Sequence, residues 1–262
     1  MLGAIGVLAA LATPLAALAQ GSEQQTLVDR ATLTVQDMLN DGDPAAVRES
    51  NRTLAQARAV IICPRIFRAG FIFGGQGGDC VMTARDGAGS WSSPAFYTIG
   101  SASFGLQIGI QDMQVMMFIM TNRGLSAVMD SQIKLGADAS ASIATLGTGI
   151  AGATTTAVGA DIVSFARARG LYAGISLEGS LLSSRNDFNT GYYGRSVSTR
   201  QIVLDMQAHN PAADSLRATL MRLGAPGGGP GGPAPMGAPP GQPGMMQMQP
   251  APSGSITRET LR

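Results

Sequence analysis

The residues best suited to binding chemistry lie in the glycine-rich stretch 166–180, ARARGLYAGISLEGS, which holds two arginines and one glutamate. After the arginines, apolar residues alternate with glycine, tyrosine, serine and finally Glu178. This period of two predicts a β-hairpin with a half-buried strand, one face in the core and the other small, polar and open. The planar guanidinium groups of Arg167 and Arg169 are suited to binding phosphate or carboxylate.

Motifs for catalysis or nucleotide binding are incomplete. A G-x-G-x-x-G motif spans 147–152, but threonines follow where a dinucleotide site requires a helix, and no acid lies at the required distance. His209 is the only histidine in the sequence, which disfavours Ser-His-Asp catalysis and most zinc sites. The segment 174–178 resembles a nucleophile elbow, except that Glu178 replaces the final glycine. The sequence therefore predicts a protein that is not an enzyme and that uses no cofactor or metal. The acids that remain as candidates for an acid–base pair are Asp138, Asp161 and Glu178.

The composition indicates a folded domain with little net charge. The chain has 262 residues, 45% of them hydrophobic, so it is long enough to bury a sizeable core. Lysine and arginine number 18 against 17 aspartates and glutamates, and the formal net charge is +1. Without a broad basic field, nucleic-acid binding is not expected. Lys134 is the only lysine in the sequence, so arginine carries nearly all of the positive charge.

The first 19 residues are typical of a secretion signal. They are apolar and end in Ala17-Leu18-Ala19, a small-x-small pattern that predicts cleavage between Ala19 and Gln20. No lysine or arginine precedes the apolar run, so an uncleaved membrane anchor is the alternative. We therefore predict an exported, periplasmic protein.

Export determines how the two cysteines are interpreted. An oxidising compartment favours a disulfide between Cys63 and Cys80 over a metal or catalytic role. Cys63 ends one apolar run and Cys80 begins another, after the glycine turn at 74–78, so neighbouring strands could bring them together. Two buried free thiols are the alternative.

The elements that position these residues follow the order helices, strands, helix. Apolar residues at helical spacing predict a helix over 22–40 with Ser22 as its N-cap, and a second over 44–58. Between 59 and 194, short apolar or alternating runs separated by glycine turns are typical of a β-rich domain. Asn210-Pro211 predicts the start of a terminal helix that ends at Leu223. The predicted strands cover 59–63, 69–73, 80–84, 95–111 and 114–121, and a short helix covers 123–130.

Two segments have unusual composition. Residues 139–160 carry no charged side chain, but glycine, serine and threonine dominate, so closely packed strands or a tight hairpin are favoured over a membrane span. From Gly224 the chain is rich in proline, glycine, methionine and glutamine, which predicts a disordered tail. The sequence thus predicts an α+β fold: two N-terminal helices, a central antiparallel β-sheet or partly closed barrel, a C-terminal helix and the tail. Its expected divisions are a signal peptide (1–19), one domain (20–223) and the tail (224–262).

Several segments form an ordered array along the chain: Ala69-Gly70-Phe71, Trp91 with Pro94, 103–111 (SFGLQIGIQ), 134–140 (KLGADAS), 167–179 and Tyr193-Gly194. Together they resemble the SYLF family, the lipid-binding domain of many exported bacterial proteins and of some eukaryotic membrane and actin-associated proteins. The resemblance covers roughly Thr26 to Asp205, and the ordered array is more specific than any one piece.

This resemblance implies a non-catalytic, phospholipid-binding module that lies peripherally on a membrane of the bacterial cell envelope and binds anionic headgroups. The basic residues in the matching segments, which the resemblance marks as lipid-binding candidates, are Lys134, Arg167, Arg169 and Arg195. Glu178 would be a buried ion-pair partner that orients one of them. The alternative is a structural envelope module that docks on a protein partner through its glycine-rich face. The sequence does not predict an oligomeric state.

Overall fold

The computed structural model describes most of the chain up to Ala225. Outside the described residues lie the glycine motif at 147–152, residues 171–176 of the expected hairpin, most of the expected signal peptide and nearly all of the expected tail. All described residues belong to a compact unit that spans Met1–Gly232. The described residues are 13–41, 44–71, 73–104, 109–145, 159–170 and 177–225.

The described residues of this unit form six helices and eight strands. The helices are α1 (Thr13–Asn40), α2 (Pro44–Gln56), α3 (Asn122–Met129), α4 (Asn186–Tyr193), α5 (Thr199–Val203) and α6 (Asp214–Leu223), with a 3-10 turn at Pro211–Ala213. The strands are β1 (Ala59–Gly70), β2 (Phe73–Ala84), β3 (Ala95–Phe104), β4 (Gly109–Ile119), β5 (Gln132–Lys134), β6 (Ala141–Thr145), β7 (Ile162–Gly170) and β8 (Leu181–Ser184).

The strands form one curled sheet, a half-barrel, in the order β5-β8-β3-β2-β1-β4-β7-β6. Neighbouring strands are antiparallel except β6 and β7, which are parallel. The two N-terminal helices, the sheet and the C-terminal helix confirm the α+β fold that the sequence predicts.

Each face of the sheet has its own core, because successive residues of a strand point to opposite sides. On β1, Ile61 belongs to one core with Val128 of α3 and Ile202 of α5. We call this the inner face. The neighbouring Ile62 belongs to the second core, with residues of α1, α2, α4 and α6. This is the outer face, which the longer helices cover.

The observed elements correct four sequence expectations, and one of them is the glycine turn expected at 74–78, which lies inside β2. The first helix begins at Thr13 rather than after Ser22, so Ser22 lies within α1 and is not its N-cap. Residues 69–73 do not form a separate strand: β1 continues to Gly70, and the chain turns before Phe73. The expected strand 95–111 is divided between β3 and β4, and residues 105–108 between them lie outside the described residues.

A bulge in β1 explains one of the glycines of β2. The pairing register of β1 shifts between Cys63 and Ile66. At this point a Cβ on Gly78 would lie 2.2 Å from the carbonyl oxygen of Arg65, a distance that no side chain tolerates. Gly78 is therefore required by the close approach of the two strands.

Candidate functional site

Helix α1 crosses the outer face and leaves one end of the sheet uncovered. Gln114 of β4 lies 3.5 Å from Thr34 of α1, measured from Nε2 to Oγ1. Farther along, Arg167 of β7 donates a hydrogen bond to the carbonyl of Asp41, just after α1 ends. Five strands (β1, β2, β3, β4 and β7) continue beyond this helix. We call the residues in this uncovered part of the sheet the distal end. The distal end comprises 66–70, 73–77, 100–104, 109–113 and 168–170.

Large apolar side chains are exposed at this distal end. Phe67 is 42% exposed, Ile110 65%, Phe71 65% and Phe73 75%. They are four of the seven large hydrophobic residues exposed in the part of the chain that the structure describes. We call them the aromatic tip, because Phe71 and Phe73 flank the turn between β1 and β2, where the Phe71 amide donates to the Phe73 carbonyl at 3.2 Å.

The surface behind the aromatic tip is shallow and floored by glycine. Two adjoining hollows of ≈ 470 and ≈ 450 Å³ lie on the distal sheet, and both are lined by Phe67 and Gly77. The larger is also bounded by Leu27 and Arg30 of α1. The smaller continues over Ala69 and Gly75 toward the tip. The two hollows together form a groove that is polar beside α1 and apolar toward the tip.

Arginines border this apolar surface. Arg65 binds both carboxylate oxygens of Asp112, with its Nε 2.8 Å from Oδ1 and its Nη2 3.1 Å from Oδ2. The hydrogen bond from Arg65 holds the pKa of Asp112 below its usual value. Arg169 pairs with Asp112 in the register of β4 and β7, and its side chain lies outside the described residues. Arg68, half-buried, occupies β1 between Arg65 and the turn.

The arginine that the sequence singles out on β7 has a structural partner. Arg167 binds the carbonyl of Asp41 at the negative end of the α1 dipole, where a cation is stabilising. Its guanidinium therefore ties α1 to the sheet edge that borders the distal end. A role in positioning α1 follows directly from this contact.

The other candidate residues do not join this surface. Lys134 is exposed on β5, and in the order of the sheet β5 lies six strands away from β7, which carries Arg169. Arg195 is exposed and donates to the carbonyl of Gln207 at 2.6 Å. Glu178 was expected to be buried, but it is exposed in a turn beside Gly136, and no ion pair to it occurs among the described residues. The structure thus brings together the β7 arginines but not the whole predicted set.

The two cysteines form a disulfide between the central strands. Cys63 of β1 and Cys80 of β2 are fully buried on the inner face, and their sulfur atoms are bonded. The pairing of Ile62 with Val81 places the two cysteines opposite each other. The bridge joins the strands that carry the aromatic tip.

The remaining acids and the histidine serve structural contacts. Asp161 is buried and accepts hydrogen bonds from Thr121 and Ser140. His209 Nδ1 lies 3.3 Å from Ser93 Oγ, but Ser93 is buried, and Nε2 is 3.8 Å from Asp214. That last distance exceeds a hydrogen bond, so the arrangement lacks an oriented base and an accessible nucleophile. Asp138 accepts a hydrogen bond from the Lys134 amide at 2.6 Å.

Two other features are absent from the described residues. No group of three or more histidine, cysteine, aspartate or glutamate side chains there could hold a metal ion. No described helix is long and apolar enough to cross a membrane.

The sequence pattern did not predict the exposed aromatic tip. Phe67, Ala69, Phe71 and Phe73 keep a period of two straight through the turn, which made 69–73 look like a core strand. The signal that distinguishes the tip is the flanking Gly70 and Gly74, since glycine is one of the strongest local markers of a turn.

Comparisons with known proteins find a similarity to a family whose description names binding and regulation. Residues 100–223 match the family Ysc84, described as Las17-binding protein actin regulator. This stretch is similar to the Ysc84 (SYLF) family, which confirms the resemblance seen in the sequence. The match begins later than the expected Thr26, so β4 and β7 lie inside it and the β1–β2 hairpin lies outside it.

Curated relatives share this domain at modest identity. LAS seventeen-binding protein 3 of Saccharomyces cerevisiae is 30% identical over 154 residues, which are 58% of this chain and 34% of the relative. SH3 domain-containing protein PJ696.02 of Schizosaccharomyces pombe is 29% identical over 170 residues, 64% and 39% of the two chains. SH3 domain-containing YSC84-like protein 1 of Homo sapiens is 28% identical over 151 residues, 57% and 44%. This chain thus spans less than half the length of these relatives.

Proposed function

We propose that this protein is a non-catalytic module that binds anionic phospholipid at a membrane surface through the distal end of its sheet. The observation that carries the proposal is the exposure of four large apolar side chains beside a border of arginines. A contiguous exposed apolar surface is rare on a soluble monomer and marks an interaction site. Arginine at its margin suits a partner with phosphate groups at its surface.

The charge around the distal end supports an anionic partner. Arg65, Arg68, Arg167 and Arg169 occupy the last rows of β1 and β7 or the positions next to them, with Arg68 on the opposite face of β1 from Phe67. Asp112 is the acid in the same rows of β4, and Arg65 already neutralises it. Because the charges of Arg65 and Asp112 cancel, the attraction comes from the other arginines, each of which contributes about 1 kcal/mol near an anionic membrane surface. Together they give a weak, salt-sensitive association that needs an apolar contribution as well.

We place the protein in the bacterial cell envelope, on the periplasmic side. The apolar first 19 residues support export. The disulfide between Cys63 and Cys80 is of the kind that persists in an oxidising compartment. Cleavage between Ala19 and Gln20 belongs to this proposal.

A protein partner is the second candidate. The name of the Saccharomyces cerevisiae relative states that it binds another protein, LAS seventeen. The glycine-floored surface of β2 is flat enough for a partner to approach its backbone closely. In that case vesicles would not bind, and a protein from the envelope would co-purify.

Neutralising two arginines at the distal surface tests the lipid proposal. The double variant Arg30→Gln/Arg169→Gln is expected to bind anionic vesicles about 30-fold more weakly, because each charge contributes about 1 kcal/mol near the surface. The measurement is co-sedimentation of the full chain with phosphatidylcholine vesicles that contain phosphatidylglycerol.

The control for this experiment is a second pair of arginines at the opposite end of the sheet. Arg52 of α2 and Arg58, just before β1, are both exposed. The variant Arg52→Gln/Arg58→Gln has the same net charge as the test variant and is expected to bind like the parent. Equal binding of the two double variants would contradict a headgroup site at the distal end.

A further inference from the structure

We infer that the aromatic tip enters the hydrocarbon of the bilayer, so that the protein selects loosely packed membranes as well as anionic ones. This inference rests on the proposed function and names the part of the surface that leaves the headgroup layer. The exposed fraction rises from 42% at Phe67 to 65% at Phe71 and 75% at Phe73, toward the turn of the hairpin. The most apolar point of the surface is therefore also one of its outermost points.

The distance from the turn to the nearest charged residue of the hairpin matches the depth to which apolar groups enter a membrane interface. Residues 69–75 carry no charged side chain, and the first charge before the turn is Arg68. At about 3.3 Å per residue, Arg68 lies about 10 Å along the strand from Phe71. Apolar faces that rest in a membrane interface reach about 5–10 Å into it. With the turn at that depth, the arginines lie at the level of the lipid phosphates.

The neighbouring strand is consistent with the same depth. Ile110 on β4 pairs with Ala69, and Asp112, two residues farther from the tip, is bonded to Arg65. The Asp112 carboxylate is therefore neutralised where it would meet the headgroups. This pair removes the repulsion that an isolated acid would feel near an anionic membrane.

The shape of the tip favours lipid over a protein partner. The tip is a projecting turn whose side chains, between 69 and 75, offer no hydrogen-bonding groups. At the turn, the Phe71 amide already donates to the Phe73 carbonyl, which lowers the cost of leaving water. Fluid hydrocarbon adapts to such a convex apolar point, whereas a protein would have to present a matching pocket.

Depth-dependent quenching tests the insertion directly. The variant Phe71→Trp places an indole at the turn, and the native Trp91 is only 1% exposed and gives a constant background. The full chain is mixed with phosphatidylcholine–phosphatidylglycerol vesicles whose acyl chains carry bromine at defined carbons. We expect quenching of the new indole that is strongest for bromines at upper-chain carbons. Binding without quenching at any depth would overturn the inference and leave the proposed function standing.

Replacing two phenylalanines of the aromatic tip with serine measures how much the tip contributes to vesicle binding. Phe71→Ser/Phe73→Ser is expected to weaken binding about 100-fold, close to tenfold for each phenylalanine, and most on small, highly curved vesicles. The matched control, Leu33→Ser/Met221→Ser, changes two other exposed apolar residues, on α1 and α6, and is expected to bind like the parent. An equal effect of the two pairs would contradict insertion, and failure of the parent chain to bind any vesicle would overturn both this inference and the proposed function.

Discussion

Replacing Asp161 with alanine is expected to lower the free energy of unfolding by about 4 kcal/mol, because three hydrogen bonds to a buried charge are lost at once. Asp161 Oδ1 accepts from Thr121 at 2.5 Å, and Oδ2 accepts from the hydroxyl and the amide of Ser140 at 2.8 and 3.1 Å. Thr121 is also the N-cap of α3, where it accepts from the Gly124 amide. One carboxylate thus holds α3, β6 and β7 together.

The same carboxylate gives the protein a defined response to acid. The hydrogen bond from Thr121, and after it those from Ser140, lower the pKa of Asp161, while burial acts in the opposite direction. A carboxyl whose pKa is lower in the folded than in the unfolded state stabilises the fold above the unfolded pKa, near 3.9. This stability is lost as pH falls through the folded pKa. Below about pH 4 the parent protein should therefore lose stability more steeply than Asp161→Asn, which cannot titrate there.

Denaturant unfolding at several pH values measures both effects. Asp130→Asn is the control, since Asp130 is exposed and follows α3 without these contacts. If Asp161→Ala unfolds at the same denaturant concentration as Asp130→Asn, the Asp161 contacts are not stabilising as described.

Removing the disulfide is expected to cost about 3 kcal/mol, because the bridge restricts the unfolded chain over a separation of 17 residues. The change is Cys63→Ala/Cys80→Ala, and the measurement is the free energy of unfolding relative to the oxidised parent. Dithiothreitol should destabilise the parent by a similar amount and leave the double variant unchanged. A parent whose unfolding is insensitive to reductant would contradict a stabilising bridge.

Removing the disulfide should also destabilise the hairpin that carries the aromatic tip. β1 and β2 extend from the disulfide to the turn that carries Phe71 and Phe73, and the two strands are paired along this length except at the bulge. The disulfide therefore supports the hairpin at the point where it passes beneath α1. The proposed export into an oxidising compartment and the proposed membrane contact are linked in this way.

The sequence predicted the elements whose signals are local. The spacing of Val28, Val35 and Leu39 predicted an amphipathic α1, and all three are fully buried. Asn210 and Pro211 predicted the turn that leads into α6, and the Asn210 side chain accepts from the Ala212 amide as an N-cap does. These signals depend on neighbours within a turn or two, so no knowledge of the fold is needed.

The site was harder to predict because its properties depend on what covers the sheet. Phe67 and Phe118 are similar in type, yet Phe118 is buried beneath the helices and Phe67 is 42% exposed. The difference is the position of α1, which crosses the strands between them. Alternation in a strand shows which residues share a face, but it does not show whether a helix covers that face.

The arginines also show that a sequence pattern does not reveal which groups the fold brings into contact. Arg167 and Arg169 were chosen for their chemistry, and their strand does border the distal end. Only the fold shows that Arg167 is bound to the end of α1, and that Lys134 lies on the far side of the sheet. Glu178 looked like the end of a strand, but it sits in a turn before Gly179, whose φ of +77° suits glycine.

Vesicle co-sedimentation of the unmodified full chain tests the central claim most directly. Vesicles of phosphatidylcholine alone are compared with vesicles that also contain phosphatidylglycerol, across a series of salt concentrations. We predict strong binding to the anionic vesicles that weakens with salt, as expected for arginines at phosphate level, together with a weaker, salt-resistant binding to highly curved neutral vesicles. Absence of binding to every vesicle at every salt concentration would contradict the account and direct attention to a protein partner.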